Sequence, residues 1–301
     1  MRSAVPEAPM IAVAGSTGVL GFEICRRLRG RERSVRALVR ASSASERVDA
    51  LRALGCEVVT CDLKNRTSLD AACAGAGVIV STVTVITKAK EGDSLAATDG
   101  AGNINLIDAA RAAGARQFIF VSFDGTGMPD APLVEAKRDV EAHLVRSGLA
   151  YTILHPALFM ESWLGPMLFA DTAAGTATMY GAGDVKFRYV AVADVAEVAV
   201  RCVDNPSARS RVIPFGGPEA LTQREALMRF EEAFAKRFTV TELPEEALEQ
   251  RWATAADPFS RSFAALMLGV ARGAAAGREL PEEFPVRLTT VREFVRGLRG
   301  Q

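Results

Sequence analysis

Met10-Ile-Ala-Val-Ala-Gly15-Ser-Thr-Gly18-Val-Leu-Gly21 is the stretch whose reading decides the fold. An apolar run reads as a buried strand, and a helical pattern starts at Val19, so the glycines sit in a strand–turn–helix setting. Each has a physical task. One permits the tight turn, the next lets a backbone approach a pyrophosphate, and Gly21 lets the helix pack closely on the strand. Unpaired N–H groups and the positive dipole end at the start of the helix then face the phosphate. Gly15, Ser16, Thr17, Gly18, Val19, Leu20 and Gly21 are therefore expected to form a dinucleotide loop. The alternative is a plain glycine-rich turn.

Outward from this loop the chain keeps a regular beat. Apolar runs read as strands at Met10–Ala14, Val35–Val39, Glu57–Thr60, 78–82, 118–122 and 151–154. Helical patterns lie between them at Val19–Arg29, 45–54, 68–72, 98–113 and 133–147. Gly55, Gly114 and Gly148 follow three of these helices, the place where a left-handed cap residue is needed. Strands apolar nearly throughout predict burial on both faces of a parallel sheet, and the repetition predicts a doubly wound α/β Rossmann fold.

After Pro156 the beat loosens. Helical periodicity is read at 159–170, 189–203 and 223–238, the last with Thr222 as N-cap, and a strand at 212–215. The tail from Pro244 reads as helical, with Phe259, Phe263, Leu266 and Met267 clustered, and 271–277 as a flexible loop. The expected organisation is a dinucleotide-binding Rossmann domain over residues 1–156. A smaller, mainly helical substrate domain over 157–301 would roof the open edge of the sheet, with parts of 189–216 returning to it.

The end of the second strand bears on the dinucleotide. A site for NAD wants an acid there for the ribose 2′-hydroxyl, whereas this chain reads Val39-Arg40-Ala41-Ser42-Ser43. Arg40 offers a permanently charged planar fork suited to a 2′-phosphate, so NADP(H) is the expected cofactor. A solvated surface arginine is the alternative. Thr82 and Val83, closing the fourth strand, join the cofactor set at the carboxyl edge where open α/β sheets bind ligands.

Composition removes other classes. The chain has 301 residues, 49% hydrophobic and 24% charged, with 36 basic and 36 acidic side chains. That is too apolar and too balanced for disorder. It lacks the basic excess of a nucleic-acid binder. The densest basic run, Arg26 to Arg33, reads as the exposed face of a helix end. Five cysteines without a Cys-x-x-Cys pair read as reduced small hydrophobes, and two histidines exclude a His-rich metal site. Met1 to Pro9 lacks a signal layout, and no stretch of ~20 apolar residues predicts a spanning helix. A cytoplasmic protein with no membrane partner is expected.

With Gly15, Gly18, Gly21 and Arg40 in place, the chain resembles the NmrA-like branch of the atypical short-chain dehydrogenase/reductases. The resemblance extends over Cys61-Asp62-Leu63, Asn105-Leu-Ile-Asp-Ala-Ala110, Gly114 to Ser122, Tyr151-Thr-Ile-Leu-His-Pro156 and Val192-Ala-Asp194. It implies that Asp62 and Leu63 lie near adenine. Ordinary superfamily members reduce carbonyls with a Tyr-x-x-x-Lys pair, but the matching stretch here is Leu133-Val-Glu-Ala-Lys137. Leucine has no proton to give. Lys137 shares a helical stripe with Leu133, Val140 and Leu144. A lysine there either snorkels to the edge or reaches a ligand. The resemblance implies the second, with hydrogen bonds to the nicotinamide ribose and a role in proton donation.

Ser122, closing the fifth strand, is the second catalytic candidate; a hydroxyl satisfied by backbone is the plain alternative. Phe123, His155, Phe159 and Trp163 are candidates for a substrate pocket. His155 also reads as a structural histidine, and Phe159, Met160, Trp163 and Met167 as an ordinary core stripe. The reading is an NADPH-dependent reductase acting on a small apolar acceptor such as a quinone, enone or related carbonyl. The alternative is a catalytically silent NADP(H) sensor with a protein partner, or a scaffold; oligomeric state stays open.

Overall fold

The computed structural model describes residues 9–299. The reading of the N-terminal leader falls, for residues 1–8, outside the described residues. The central sheet is built from β1 (Met10–Ala14), β2 (Val35–Val39), β3 (Glu57–Thr60), β4 (Ala76–Ser81), β5 (Gln117–Val121), β6 (Ala150–Pro156) and a later strand, β10 (Arg211–Phe215). Their order is β10-β6-β5-β4-β1-β2-β3, and every pairing is parallel. Chain order reverses between β1 and β4, which opens a crevice at their carboxyl ends. Ala14 pairs with both Leu38 and Ser81, so the three strand ends that frame the crevice are level.

Why these strands read as unbroken apolar runs is visible in β5. Phe118 and Phe120 pack on one face with Leu106, Val140 and Leu144, while Ile119 and Val121 pack on the other with Ile24, Leu28 and Val195. Successive side chains of a strand point to opposite faces, and here both faces are covered by helices. On one side lie α1 (Val19–Arg29) and α7 (Val192–Cys202); on the other, α4 (Asn103–Ala112) and α5 (Pro132–Arg146). The smaller α2 (Ser45–Ala53) and α3 (Arg66–Cys73) complete the early units. The edges carry polar or hydrogen-bond-poor residues, with Glu57 and Thr60 exposed on β3 and Pro214 in β10, as solvent-facing edges require. Gly55, Gly114 and Gly148 take positive φ after their helices, as read. All five cysteines are buried free thiols.

Around the sheet the structure differs from the sequence reading in three places. The helix expected over 98–113 is two elements, a π-helix over Leu95–Gly102 followed by α4. The helix expected over 159–170 shrinks to α6 (Met160–Trp163), because Gly165 and Pro166 follow and proline cannot continue a helix. The basic run Arg26 to Arg33 is not a simple solvated face. Arg27 and Arg31 pair with Glu197 of α7 at 2.9 and 2.6 Å, and Arg33 pairs with Asp204 at 2.8 Å, tying α1 and the turn after it to α7 and the turn after that.

Beyond the sheet stand β7 (Ala170–Asp171), β8 (Thr176–Tyr180), β9 (Lys186–Phe187), β11 (Leu221–Thr222), α8 (Gln223–Phe234), β12 (Thr239–Leu243), α9 (Glu245–Thr254), α10 (Pro258–Ala271) and α11 (Val291–Leu298). They share a second core around Phe187, Phe230 and Leu268. The strands β7, β8, β9, β11 and β12 do not stand out in the sequence: β7, β9 and β11 have two residues each, β12 is mostly exposed, and β8 mixes threonines with its buried positions. Thr222 caps α8 as expected, in a full capping box with Glu225, but the helix stops at Phe234 where Ala235 turns left-handed. The tail is helical only in part, since 272–290 is irregular. Segment 271–277, read as flexible, is packed: Ala274 is buried, and the Arg188 N–H donates to the Ala276 carbonyl at 2.8 Å. Asp194 holds the irregular stretch, accepting from the Thr289 N–H at 2.6 Å and hydroxyl at 3.0 Å.

Candidate functional site

A cavity of about 610 Å³ runs along the crevice from the glycine loop to the space beneath α10. Its head is the β1–α1 turn. Gly15 has φ +80°, and a Cβ there would lie 2.5 Å from the Thr82 hydroxyl. At Gly21 a Cβ would lie 2.2 Å from the Gly15 carbonyl oxygen, so α1 sits on the turn at a distance only glycine allows. Gly18 is the N-cap of α1, no side chain caps it, and no acid occupies its first turn. The leading N–H groups of the helix are thereby left for an anion at the cavity wall. Thr17, Gly18, Val19 and Leu20 line that wall. The loop fits a pyrophosphate.

Ser16 is the exception among the loop residues. It has no exposed surface, and its hydroxyl donates 2.8 Å to the Leu38 carbonyl, tying the turn to β2 rather than facing the cavity.

Arg40 lines the neighbouring end of the cavity. Its Nη1 is 2.6 Å from Asp93 Oδ2, which aims the guanidinium across the cavity mouth. Burial pushes the Asp93 carboxyl up, but hydrogen bonds from Arg40 and the Lys90 N–H outweigh it and hold the group below its usual range. Arg47, Lys64 and Lys90 line the same end. Sequence reading missed these three, because α2 and the loops after β3 and β4 meet at this corner only through tertiary folding. Asp62 and Leu63 border it too, with Asp62 Oδ1 accepting the Lys64 N–H at 2.9 Å. A cationic corner of this kind suits a phosphomonoester next to a ribose.

The floor is formed by the ends of β4 and β5 and by α5. Thr82 and Val83 line it, and Thr82 donates its backbone N–H and hydroxyl to Ala14 at 3.1 and 3.2 Å. Lys137 rises from α5 with only 6% of its surface exposed. Nζ donates to the Val83 carbonyl at 3.3 Å and lies 4.8 Å from the centre of the Phe120 ring. The side chain does not snorkel to solvent; its stripe of Leu133, Val140 and Leu144 is buried with it. Desolvation drives the ammonium below its ordinary range, partly countered by Asp99 and Glu141. Ser122 lines the cavity, and its buried hydroxyl has no hydrogen-bond partner. The plain alternative, a hydroxyl satisfied by backbone, is not what this geometry contains.

Phe123, Phe159 and Trp163 line the same cavity. Met160 and Met167 do not: the first is in the second core and the second is 85% exposed. Phe263, Leu266 and Met267 of α10 line the cavity too, together with Met128. Their clustering was legible, their place over the cavity was not. His155 lies outside this cavity. Neighbouring residues of a strand face opposite ways, and His155 points from β6 toward α5, where Nε2 is 2.9 Å from Glu141 Oε1. It borders a separate hollow of about 210 Å³ with Asp124 and Arg278.

A model of the NmrA-like family matches residues 7–269. An NAD(P)H azoreductase from Xenophilus azovorans is 30% identical over 72% of this chain and 71% of its own length. The chloroplastic protein "high chlorophyll fluorescence phenotype 244" of Arabidopsis thaliana is 28% identical over 79% of this chain, which spans 59% of that relative's length. Among solved structures, an NADPH-dependent quinone oxidoreductase from Escherichia coli, complexed with NADPH, superimposes with a TM-score of 0.78 at 22% identity, covering 96% of this chain and 100% of that one. At that identity the likeness is one of fold. Among the described residues, no helix is long and apolar enough to cross a membrane.

Proposed function

The chain belongs to the NmrA-like family, and from that premise we propose that it is an NADPH-dependent reductase passing hydride to a flat apolar acceptor such as a quinone, enone or related carbonyl, working in the cytoplasm. The observation that carries this reading is that the buried Lys137 ammonium and the unpartnered Ser122 hydroxyl line one cavity, continuous with the glycine loop and with an aromatic and aliphatic lining. In this reading the loop and Arg40 corner of residues 1–156 hold the dinucleotide, and 157–301 covers the acceptor. Bound there, NADPH supplies the hydride. Ser122 Oγ donates a hydrogen bond to the acceptor oxygen, and Lys137 Nζ holds the proton that meets the charge developing on it. Phe123, Trp163 and Leu266 exclude water and orient a ring. An electrophilic ring needs little acid assistance, which accommodates Leu133 at the tyrosine position.

The test is NADPH oxidation by the pure protein against quinones, enones and aldehydes. Turnover with a member of the panel supports the reductase. Tight NADPH binding with no turnover supports the second reading, a redox-sensing protein with a protein partner, which Leu133 favours.

Cofactor choice has its own expected result. Arg40→Ala removes one charge-assisted contact to the 2′-phosphate, worth about 1.5–3 kcal/mol, or roughly a tenfold to hundredfold loss in NADPH affinity. NADH affinity should stay where it is. Calorimetric titration of both proteins with both cofactors measures this, and equal wild-type affinities for NADPH and NADH refute the assignment.

A further inference from the structure

One acid behind the cavity lining, against Lys137, has no part in the reaction just described. Asp99 has no exposed surface and is carried by the π-helix. Its Oδ2 accepts the Val85 N–H at 3.0 Å. Oδ1 has no hydrogen-bond partner and lies 3.9 Å from Lys137 Nζ. A buried carboxylate oxygen left without a donor is costly, and here the nearby cation is the compensation.

The backbone around Asp99 is fixed for this geometry. Asn103 Nδ2 donates to the Asp99 carbonyl at 2.9 Å, and Asn103 Oδ1 accepts from the Ser81 hydroxyl at 2.6 Å. This buried brace sits where the π-helix passes into α4. Wide π turns often occur at functional sites, and this one sets a carboxylate beside a lysine that α5 presents from across the cavity floor. The Thr84 hydroxyl also bears on the Asp99 carboxyl, and the other charged groups near the pair are engaged elsewhere. Glu141, one turn further along α5, is engaged by His155 Nε2 at 2.9 Å. Asp93, which bears on Asp99, is engaged by Arg40 at 2.6 Å. The Phe120 ring faces Nζ with its electron-rich surface.

We propose that Asp99 is a positioning residue: its carboxylate holds the Lys137 ammonium in its charged form at the cavity floor, where it can serve the reduced acceptor. The proposal rests on the reductase reading for the use of that charge, though not for the charge itself. Burial drives the lysine toward its neutral form. Removing the nearest negative charge leaves that drive less opposed, so Nζ gives up its proton at lower pH. A general acid works only while protonated, so the alkaline limb of kcat/KM moves to lower pH with it.

The experiment follows the Lys137 side-chain signal by NMR in protein carrying 13C at lysine Cε, assigned by its loss in Lys137→Met. In Asp99→Asn, Nζ is expected to lose its proton at least about one pH unit lower than in wild type, a tenfold change in its proton affinity. Asp99→Ser carries the same expectation should the Asn variant fail to fold. Asp99→Glu, which keeps the charge, should bring the titration most of the way back to its wild-type position. The alkaline limb of quinone reduction should move by the same amount, and Asp99→Asn should do nothing further in a Lys137→Met background. A folded neutral variant whose Lys137 titrates as in wild type overturns the proposal. If Nζ titration shifts while Lys137→Met turns over normally, the hold of Asp99 on Lys137 stands and the proton-donor role of Lys137 falls.

Discussion

Replacing Lys137 by methionine is expected to lower turnover by about two to four orders of magnitude, the usual contribution of a positioned proton donor. NADPH affinity should fall far less. The side chain is buried on the floor of the cavity and has one carbonyl, one carboxylate and one aromatic ring around its nitrogen. The carbonyl and the ring carry no acidic proton, and the Asp99 carboxyl is fully buried and does not line the cavity. Methionine matches the length of the stem and keeps the apolar stripe, so steric disruption is not the cause of any loss. Stability supplies a second readout with a fixed sign. Asp99 then loses its counter-cation, and burial, which already raises that carboxyl above its ordinary value, is less opposed. A carboxyl whose folded value lies above its unfolded value, about 3.9, stabilises fully only below the unfolded value. That contribution is lost as pH rises through the folded one. The melting temperature of the Lys137→Met variant should therefore fall relative to wild type as pH rises from acid to neutral, and adding Asp99→Asn should remove the Asp99 part of that pH dependence. Thermal denaturation across pH measures this. Unchanged turnover on an acceptor that wild type reduces would leave Lys137 without a catalytic role.

How much of this was legible beforehand depended on how local the cause was. The strand Met10–Ala14 and the helix Val19–Arg29 coincide with their reading to the residue, because apolar run, glycine turn and helical period all agree there. The helix over 159–170 failed for a local reason that the sequence displayed: Gly165-Pro166 ends it. By contrast, the π-helix has no sequence signature distinct from an ordinary helix. Its significance depends on Asp99 meeting Lys137 from a position 38 residues earlier, which periodicity does not report. His155 misled because a histidine at a strand's carboxyl end draws attention, while its direction depends on strand alternation and on a partner, Glu141, in another element. The same holds for Arg47, Lys64 and Lys90, ordinary surface cations until folding gathers them around the Arg40 corner.

Gly18→Val is expected to abolish measurable NADPH binding, a loss of at least ~100-fold, while leaving the protein folded. Gly18 has φ −74° and ψ 166°, extended backbone that valine accepts readily. Within the protein a Cβ there meets only the Gly15 carbonyl oxygen, at 3.2 Å, a contact relieved by a few tenths of an ångström. The branched side chain instead occupies the cavity wall where the helix N–H groups point, so the penalty falls on the ligand. Gly21→Val makes the opposite case. There the new Cβ lies 2.2 Å from the Gly15 oxygen and 2.7 Å from its carbonyl carbon, backbone atoms that cannot yield without prising α1 from β1. That variant should lose stability by several kcal/mol, as overpacked cores commonly do, and show it in circular dichroism and melting before any ligand is added. The two substitutions lie three residues apart on one loop and separate its two duties, anion approach at Gly18 and helix packing at Gly21. A folded Gly18→Val protein that still binds NADPH with wild-type affinity would mean the phosphates lie elsewhere, and the reductase reading would lose the anchor of its cofactor.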